Sequence, residues 1–348
     1  MTKRTIFFIA AAFALVVIVM LVYFSIMNTP GPKQPVTSIE QTASLPWMLK
    51  GVVLDLGHHG DYDDKSIESP TVVKMGPDSY VMWYRGQTFS DQIGRVMRAT
   101  SADGLNWTKT GVVMLPTETY EGDSLDPMSV IFENGTYKMW YGGEAYGGCA
   151  CYATSPDGIN WTKYSGNPVL RKTSGNWDNE GAGGQHTVIK VGDGYYMYYK
   201  GYGSASSGWT FYGLAESTDG IHWDKKGKVL SPEPQIGETT TFRNLRAVKI
   251  DSYYCLAYSM VENLQISLAS SKDGKTFVKN GFIFIHGRAP GVYDEKWSTS
   301  PCILVDGDLV RMWYEGGDAN GRVRTLYAEI QKSYFTKALM YIVTPPTQ

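Results

Sequence analysis

Residues 126–143 read DPMSVIFENGTYKMWYGG, which is the pattern of two strands joined by a tight turn. The segments Val130–Phe132 and Tyr137–Tyr141 are β-branched, apolar or aromatic, and such residues favour strands. Asn134 and Gly135 lie between them and form the strongest short hairpin signal, because both tolerate a positive φ. The stretch therefore predicts a β-hairpin.

The end of this hairpin recurs along the chain. Its core appears as Met82–Tyr84, Met139–Tyr141, Met197–Tyr199, Leu256–Tyr258 and Met312–Tyr314. The closing tyrosines, at 84, 141, 199, 258 and 314, follow one another after 57, 58, 59 and 56 residues. A regular period of this length with β content throughout is typical of a propeller, since about four strands fit in each unit. We therefore expect an all-β, five-bladed β-propeller.

Each of the first four repeats continues into a further phrase, Ser-x-Asp-Gly followed by Trp or Phe, which predicts a side-chain-capped turn between a third and a fourth strand. The fifth repeat stops before this phrase. The missing strand is at the other end of the chain, where Trp47–Leu54 aligns with Trp107–Met114. We expect this N-terminal strand to complete the last blade of a propeller domain over 46–331, which hides the open sheet edges. The tail 332–348 has no assigned role.

The N-terminus carries a candidate membrane segment. Ile6–Met27 is almost wholly apolar and follows the basic pair Lys3-Arg4, as expected for a helix that spans a bilayer with its N-terminus inside. We predict a transmembrane signal-anchor over 1–28 and a linker over 29–45, with the propeller outside the cytoplasm. A cleaved signal peptide is the alternative.

Composition narrows the range of partners. The chain has 32 basic and 34 acidic residues, so bulk charge does not indicate nucleic acid. Aromatic residues make up 13% of the chain, which suits a turn-rich β domain or a carbohydrate binder. We expect a monomer with a carbohydrate ligand. No cofactor or metal is expected, although an ion in the central channel is left open.

The four cysteines outside the membrane segment, Cys149, Cys151, Cys255 and Cys302, fall in three repeats. Cys149 and Cys151 are two residues apart on a predicted strand, so both point to one side and are poorly placed to bond each other. We interpret all four as buried thiols, with a disulfide between blades as the alternative.

The repeat also predicts where a site can form. In a propeller, the starts of the first strands and the ends of the second strands meet on one face, here called the mouth. Aromatic–acid pairs such as Tyr62-Asp63 recur just before the first strand and are interpreted as structural. Residues that break the repeat at the mouth are the candidates: Glu68, Arg85, Asp126, Glu144, Glu180, His186, Lys200, Arg243, Arg246 and Glu315, with Trp297 as a further substrate contact. Polar groups converging in one concavity favour a ligand site.

Several phrases resemble the propeller glycosidases of glycoside hydrolase families 43, 32, 68 and 117 and the family 130 phosphorylases. They are Asn167–Leu170, Trp177-Asp178, Asp126-Pro127, the Tyr-x-Met-Trp-Tyr-x-Gly strands and the Asp-Gly-Ile-Asn-Trp turns, and the resemblance covers roughly residues 47–330. It implies a glycosidase-type propeller acting on a poly- or oligosaccharide.

The family 43 pattern implies a general base in blade 1, an orienting acid in blade 2 and a general acid in blade 3. Asp126 matches the blade 2 position. In blade 1 Ser69 stands where an acid is expected, and Glu68 is one residue away and so expected to face the other side of the strand. In blade 3 the acid is either Glu180 or, as the resemblance to family 117 implies, His186.

The basic candidates suit an anionic group. Arg85, Lys200, Arg243 and Arg246 could bind a uronate or sulfate on a sugar, or a phosphate. The resulting hypothesis is a membrane-anchored glycosidase using carboxylate acid/base chemistry. A non-catalytic propeller that binds glycan or protein is the main alternative, and a sialidase-like enzyme is a third.

Overall fold

A computed structural model describes residues 45–204, 208–233, 238, 241–261, 264–284 and 293–340. The predicted membrane segment and nearly all of the linker lie outside these residues. Of the helices in the described ranges, none has the length and apolar content that a bilayer crossing requires.

The regular secondary structure of the described chain consists almost wholly of strands. They are β1 Met48–Leu54, β2 Ser66–Gly76, β3 Ser79–Gln87, β4 Arg95–Ser101, β5 Thr108–Met114, β6 Leu125–Glu133, β7 Thr136–Gly143, β8 Cys149–Ser155, β9 Thr162–Lys163, β10 Gly181–Val191, β11 Gly194–Tyr202, β12 Phe211–Ser217, β13 Asp224–Leu230, β14 Phe242–Ile250, β15 Tyr253–Met260, β16 Ile266–Ser271, β17 Val278–Phe284, β18 Trp297–Asp306, β19 Leu309–Gly317 and β20 Val323–Gln331. One α-helix, α1, spans Lys332–Met340. The all-β prediction is confirmed.

The hairpin predicted from residues 126–143 is present. Strands β6 and β7 pair antiparallel, with Glu133 opposite Thr136. The connecting residues Asn134 and Gly135 have φ of 52° and 76°. Both values are positive, as the favoured two-residue hairpin turn requires.

Strand pairing gives three separate four-stranded antiparallel sheets, β6–β9, β10–β13 and β14–β17. The remaining strands form one eight-stranded sheet. It consists of β2–β5 and of β18–β20 with β1, and the two groups are joined by one parallel bridge between Ser66 and Val323. The first strand of each group contacts the first strand of the next, and β18 contacts β2. We call these five groups of four strands repeats one to five, beginning with β2–β5.

The fifth repeat is completed by the N-terminal strand, as predicted. Strand β1 pairs antiparallel with β20, with Leu49 opposite Ala328. In the first repeat, Lys109 lies opposite Ala99 in the same register. The two ends of the described chain are therefore held together in one four-stranded group, which leaves no open edge on β20.

In most repeats a buried aromatic side chain donates a hydrogen bond to the next repeat. Trp83 Nε1 donates to the Gly158 carbonyl at 2.9 Å and Trp140 Nε1 to the Gly220 carbonyl at 2.7 Å, each across the boundary to the following repeat. Two further bonds of this kind are Tyr198 Oη to the Gly274 carbonyl at 2.8 Å and Trp313 Nε1 to the Gly104 carbonyl at 2.8 Å. The accepting glycines belong to the Asp-Gly turns, so these turns also serve as docking points for the neighbouring repeat.

The boundary from the fourth to the fifth repeat is built differently. Ala257 stands where the other repeats have Trp or Tyr, and the fifth repeat has no Asp-Gly turn to receive a bond. Helix α1 packs there instead, with Phe335 and Leu339 buried in one cluster with Trp47 and Ala257. The rings of Trp47 and Phe335 meet edge to face, with centroids 5.9 Å apart. The start of the tail is thus part of the core.

A buried carboxylate recurs beside the end of each second strand. In the first four repeats it accepts a bond from the closing tyrosine and pairs with a lysine of the fourth strand: Tyr84–Asp63–Lys109, Tyr141–Glu121–Lys163, Tyr199–Asp178–Lys225 and Tyr258–Glu238–Lys279. A buried charge needs such partners, because removing it from water is costly. This supports the structural interpretation of the aromatic–acid pairs. Glu238 fills the fourth position, where no aromatic residue precedes it.

The four cysteines are free and buried, as predicted. The sulfur atoms of Cys149 and Cys151 lie 3.7 Å apart on one face of β8.

Candidate functional site

The starts of the first strands are irregular, and this irregularity shapes the mouth. The pairing of β2 with β3 shifts register between Glu68 and Thr71, and Ser69 in the gap has a φ of 51°. Ser300 in β18 has the same conformation, with a φ of 49°. A left-handed serine before proline is unfavourable by about 1–3 kcal/mol, and such strain is concentrated at functional sites. Each serine therefore forms a bulge that re-aims its neighbours.

Because of the bulge, Glu68 has a different orientation from the one expected. In the strand ladder Glu68 lies opposite Arg85, and Asp126 lies opposite Gly142, the residue equivalent to Arg85. Glu68, rather than Ser69, is thus the structural equivalent of Asp126. The expectation that Glu68 faces away from the site was wrong, because the extra residue at Ser69 breaks the simple alternation of the strand.

Arg85 is the centre of a carboxylate cluster. Its Nη1 lies 3.3 Å from Asp126 Oδ2 and 3.1 Å from Glu144 Oε1, and its Nη2 bonds to Glu68 Oε2. The side chain of Arg85 is only 14% exposed. Three predicted carboxylates from two repeats thus bind one planar cation, which holds them in a fixed geometry.

Ser69 links this cluster to the fifth repeat. Its hydroxyl donates to Asp126 Oδ1 at 2.9 Å, and its backbone N–H donates to Glu315 Oε1 at 2.5 Å. The other oxygen of Glu315 accepts a bond from the Thr299 hydroxyl at 2.9 Å. Asp126 and Glu315 therefore both accept a hydrogen bond from Ser69, and both are buried.

Burial controls the protonation of these two carboxyls. It raises the pKa of Asp126, and the neighbouring Glu68 adds to the effect while Arg85 opposes it. Burial likewise raises the pKa of Glu315, again with Glu68 adding. A carboxyl whose pKa is raised holds its proton to higher pH, which is what a general acid requires.

The basic side of the mouth consists of Lys200 and Arg243. Burial lowers the pKa of Lys200 to about 8, and the charge of Arg243 adds to this shift. Neither side chain makes a hydrogen bond or ion pair with another residue in the described part of the chain. Arg243 acts on Glu315 through its charge, so the basic and acidic sides adjoin. Two cations that form no ion pair with the described residues can receive an anionic group.

Two amides extend the mouth across the third, fourth and fifth repeats. Gln185 Nε2 donates to Asn244 Oδ1 at 2.6 Å, and Asn244 Nδ2 donates to Ser300 Oγ. Gln185 Oε1 is buried and accepts no bond from the described residues. These three residues and Ser69 were not among the predicted site residues. The repeated Ser-Pro pairs 69–70 and 300–301 are the signal that could have found the serines.

Neither proposed acid of the third repeat joins the cluster. Glu180 is exposed and contributes its backbone N–H to the Tyr202 carbonyl at 3.2 Å. His186 is fully buried, with Nδ1 bonded to the Gly183 carbonyl at 2.7 Å. Burial lowers the pKa of His186 to about 4, so the ring is neutral at pH 7 with its proton on Nδ1. The geometry favours a packing role over proton donation.

Arg246 also departs from the expected role. Its guanidinium donates to the carbonyls of Pro70 at 3.1 Å and Pro301 at 3.4 Å, to the Met128 carbonyl and to Thr71 Oγ1 at 2.7 Å. These acceptors belong to the first, second and fifth repeats. Because backbone groups occupy its donors, Arg246 joins four repeats together at the centre and is not free to bind substrate.

Trp297 is half-buried at the start of β18, opposite Gly317. A Cβ on Gly317 would lie 2.0 Å from the Trp297 ring, so the glycine is needed for this contact. No set of three or more His, Cys, Asp or Glu side chains in the described ranges is arranged to hold a metal ion.

Comparison with known proteins gives matches in sequence and in structure. Residues 69–181 match the family described as glycosyl hydrolases family 32 N-terminal domain. In the solved β-1,2-mannobiose phosphorylase from Listeria innocua, in complex with β-1,2-mannobiose, the matched part covers 83% of this chain and 96% of that one, with a TM-score of 0.64 and 14% identity. In its fold the chain is similar to the solved β-propeller glycosidases, and its sequence is similar to a glycosidase family over residues 69–181. The predicted resemblance is thereby confirmed.

The relatives found by sequence match only part of the chain. A protein of Mycobacterium tuberculosis strain H37Rv is 30% identical over 195 residues, which are 51% of this chain and 60% of that protein. The 1,2-beta-oligomannan phosphorylase of a Thermoanaerobacter species is 30% identical over 136 residues, 39% of this chain and 42% of that protein. The chain thus spans about half the length of these relatives.

Proposed function

We propose that this propeller cleaves glycosidic bonds in an oligo- or polysaccharide, with Asp126 as the proton donor. The observation that carries the proposal is the cluster of Glu68, Asp126 and Glu144 around Arg85, with Glu315 joined through Ser69. Glycosidases need one protonated and one ionised carboxyl across the scissile bond, roughly 5 to 10 Å apart. Glu68 and Asp126 each lie one hydrogen bond from the same guanidinium, which is compatible with that spacing.

The two carboxyls take different roles because their surroundings differ. Asp126 is buried, which favours its protonated form and supports protonation of the leaving oxygen. Glu68 is ion-paired with Arg85, and a carboxylate in this position can accept a proton from the attacking group. Glu315 orients Ser69, and Ser69 in turn orients Asp126.

Lys200 and Arg243 supply a place for an anion beside these carboxyls. It is either a charged group of the sugar or an attacking phosphate. The phosphorylase named among the sequence relatives is one reason to test phosphate. An extracytoplasmic location argues for hydrolysis, since phosphorolysis would release a sugar phosphate outside the cell.

A non-catalytic carbohydrate-binding propeller is the second candidate. The observation in its favour is the number of bonds that Arg85 makes, because a cation shared by three carboxylates stabilises their ionised forms and so opposes proton donation. The glycosidase hypothesis and the binding hypothesis differ in whether Asp126 donates a proton to a substrate.

The deciding experiment uses the full chain in mild detergent with a panel of oligosaccharides, with and without inorganic phosphate. We expect reducing sugar or sugar phosphate to be released. Asp126→Asn should slow the release by roughly 100-fold or more, because a neutral amide has no proton to transfer. Asp123→Asn is the matched control, since Asp123 is an exposed carboxyl three residues away. Binding of the same glycan by both variants, without cleavage by the unaltered protein, would establish the binding reading.

The role of Lys200 can be tested by pH. With a pKa of about 8 it is a cation below pH 8 and neutral above it. Affinity for an anionic substrate should therefore fall as the pH rises through 8, and Lys200→Met should remove that step. Lys172→Met, at an exposed lysine, should leave the profile unchanged. A profile that is the same in all three proteins would exclude an anion at Lys200.

Three further features belong to this proposal. The cyclic contacts between first strands, with β1 completing the fifth repeat, support a five-bladed ring. The apolar run Ile6–Met27 supports a membrane anchor with an extracytoplasmic propeller, which accessibility to protease in intact cells would test. We expect a monomer, and light scattering on the detergent-solubilised chain would measure it.

A further inference from the structure

One residue far from the mouth breaks the repeat as strongly as the candidates there. Arg98, in the third strand of the first repeat, lies opposite Trp83 and Gly111. The equivalent position in the other repeats is apolar and buried: Tyr152, Leu214, Leu268 and Tyr327. Only the first repeat therefore places a charge between itself and its neighbour at this level.

The substitution opens a groove. Tyr152 packs on Trp140 and Tyr327 on Trp313, each pair with ring centroids 5.3 Å apart, so these side chains fill the space beside the tryptophan. Beside Trp83 the position is occupied by Arg98, and a groove of about 600 Å³ lies there between the first and second repeats. It is bounded by Asp78 and Ser79 of one turn and by Ser101 and Asn106 of another, so it lies on the opposite face from the mouth.

The guanidinium of Arg98 is incompletely satisfied. Its Nη1 donates to Thr110 Oγ1 at 3.2 Å. Its Nε is buried without a hydrogen-bond partner among the described residues, and none of their carboxylates forms an ion pair with it. Burial lowers the pKa of Arg98, and the nearby Tyr137 and Asp157 only partly oppose this effect. A guanidinium that forms no ion pair with the described residues can receive an anionic acceptor from the groove.

The rest of the lining fits a sugar. Ser79, Thr100, Thr108 and Asn106 line the groove and carry hydroxyl or amide groups, and Met75 and Tyr137 provide apolar surface. The Asn106 amide also donates to Asp103 Oδ2 at 2.7 Å. Side-chain hydroxyls and amides both donate and accept, so they match the hydroxyls of a saccharide. A planar guanidinium beside them matches a carboxylate or sulfate on the same sugar.

We propose that this groove is a second carbohydrate site, which binds one acidic sugar unit through its carboxylate or sulfate at Arg98. It is separate from the mouth, so it holds a polymer without taking part in cleavage. The proposal does not depend on Asp126 or on catalysis.

The test measures binding of the full chain to acidic oligosaccharides, with oligogalacturonate and chondroitin sulfate fragments as probes. A neutral glucan of the same length and an oligoglutamate serve as comparison ligands. Arg98→Leu is the main variant, because leucine occupies the same position in the third and fourth repeats and should pack without disturbing the fold. Losing a charged, two-pronged hydrogen bond should weaken binding of an acidic oligosaccharide about tenfold to a hundredfold.

Three controls keep the result specific. Arg98→Lys keeps the charge but loses the two-pronged hydrogen bonding of the guanidinium. Its affinity for the acidic oligosaccharide should lie between those of the unaltered protein and Arg98→Leu. Arg171→Leu removes the same charge from an exposed loop on the mouth side and should leave the Arg98-dependent binding intact. Arg98→Leu should cause the same loss when it is introduced together with Asp126→Asn, so that failure of the cleavage proposal does not affect this one.

The proposal is overturned if Arg98→Leu binds as well as the unaltered protein, or if no acidic oligosaccharide binds. Equal affinity for oligoglutamate also overturns it, because the groove would then be a site for acidic peptide. A loss of binding by Arg171→Leu as large as that by Arg98→Leu would show only a general effect of charge and would likewise overturn it.

Discussion

Two kinds of boundary hold the five repeats together. At four of them, within the described residues, a buried Trp or Tyr donates to the carbonyl of a glycine in the neighbouring Asp-Gly turn. At the fourth-to-fifth boundary Ala257 replaces the aromatic residue, and helix α1 packs against Trp47 and Ala257.

The difference follows from how the fifth repeat is assembled. Its third and fourth strands are β20 and β1, which are not consecutive in the sequence. No turn connects them directly, so no glycine carbonyl of such a turn is available there. An aromatic donor at this position would be buried without an acceptor, which is unfavourable. A small residue and a helix that follows β20 directly solve the same packing problem by apolar burial alone.

The largest expected effect is on the helix. Phe335 is fully buried against Trp47, so Phe335→Ala should destabilise the protein by about 3–5 kcal/mol, measured by chemical denaturation. Tyr334→Ala, at a neighbouring residue that is 54% exposed, should have little effect. Equal stability of the two variants would mean that helix α1 does not stabilise the boundary between the fourth and fifth repeats.

The next effect concerns the buried carboxylates. Lys109 pairs with Asp63 at 2.7 Å, and Leu49 stands at the same position in the fifth repeat. Lys109→Leu leaves Asp63 buried without its cation and should cost about 2 kcal/mol, discounted because the lysine is partly exposed. The loss should grow at low salt, where the ion pair is screened least. A loss independent of salt would point to packing instead.

A smaller effect is expected for a buried aromatic residue that forms a hydrogen bond to the neighbouring repeat. Trp140→Phe removes the bond to the Gly220 carbonyl and part of a buried ring, at a cost of about 1–2 kcal/mol in unfolding free energy. Trp107→Phe is a useful control, because Trp107 is only partly buried and its bond, to Gly104, stays within its own repeat. Similar losses in the two variants would argue against a special role for the bond between repeats.

The smallest effect is a gain. Asp294 accepts a bond from Tyr314, but no described lysine reaches it, and Leu49 is 42% exposed. Leu49→Lys should supply the missing cation and stabilise the protein by about 1 kcal/mol. Met48→Lys adds the same charge one residue earlier, on the other side of the strand, and should not stabilise it. A gain from both variants would reflect net charge rather than the pairing with Asp294.

Much of this architecture could be predicted because it depends on local signals that recur. The Asn134-Gly135 turn, the period of the closing tyrosines and the match of residues 47–54 to 107–114 each report on a repeated unit. Repetition separates structural residues from variable ones without a structure. Helix α1 occurs once, so no repeat could reveal it.

The site was predicted in outline only. The convergence of Asp126, Glu68, Glu144 and Glu315 with Arg85 could be anticipated, because strand order alone brings them to one mouth. The orientation of Glu68 could not, since it depends on a bulge whose extra residue reverses the alternation of side chains. The use of Arg246 by backbone carbonyls and the burial of His186 depend on packing between distant repeats, which sequence spacing does not encode.

Arg246 has a consequence for how the repeats can separate. Its guanidinium bonds to groups of the first, second and fifth repeats, and Arg246 itself belongs to the fourth. Movement of any one of these repeats away from the others would leave donors of a buried cation without acceptors, which is costly. We therefore expect these four repeats to unfold together rather than one at a time.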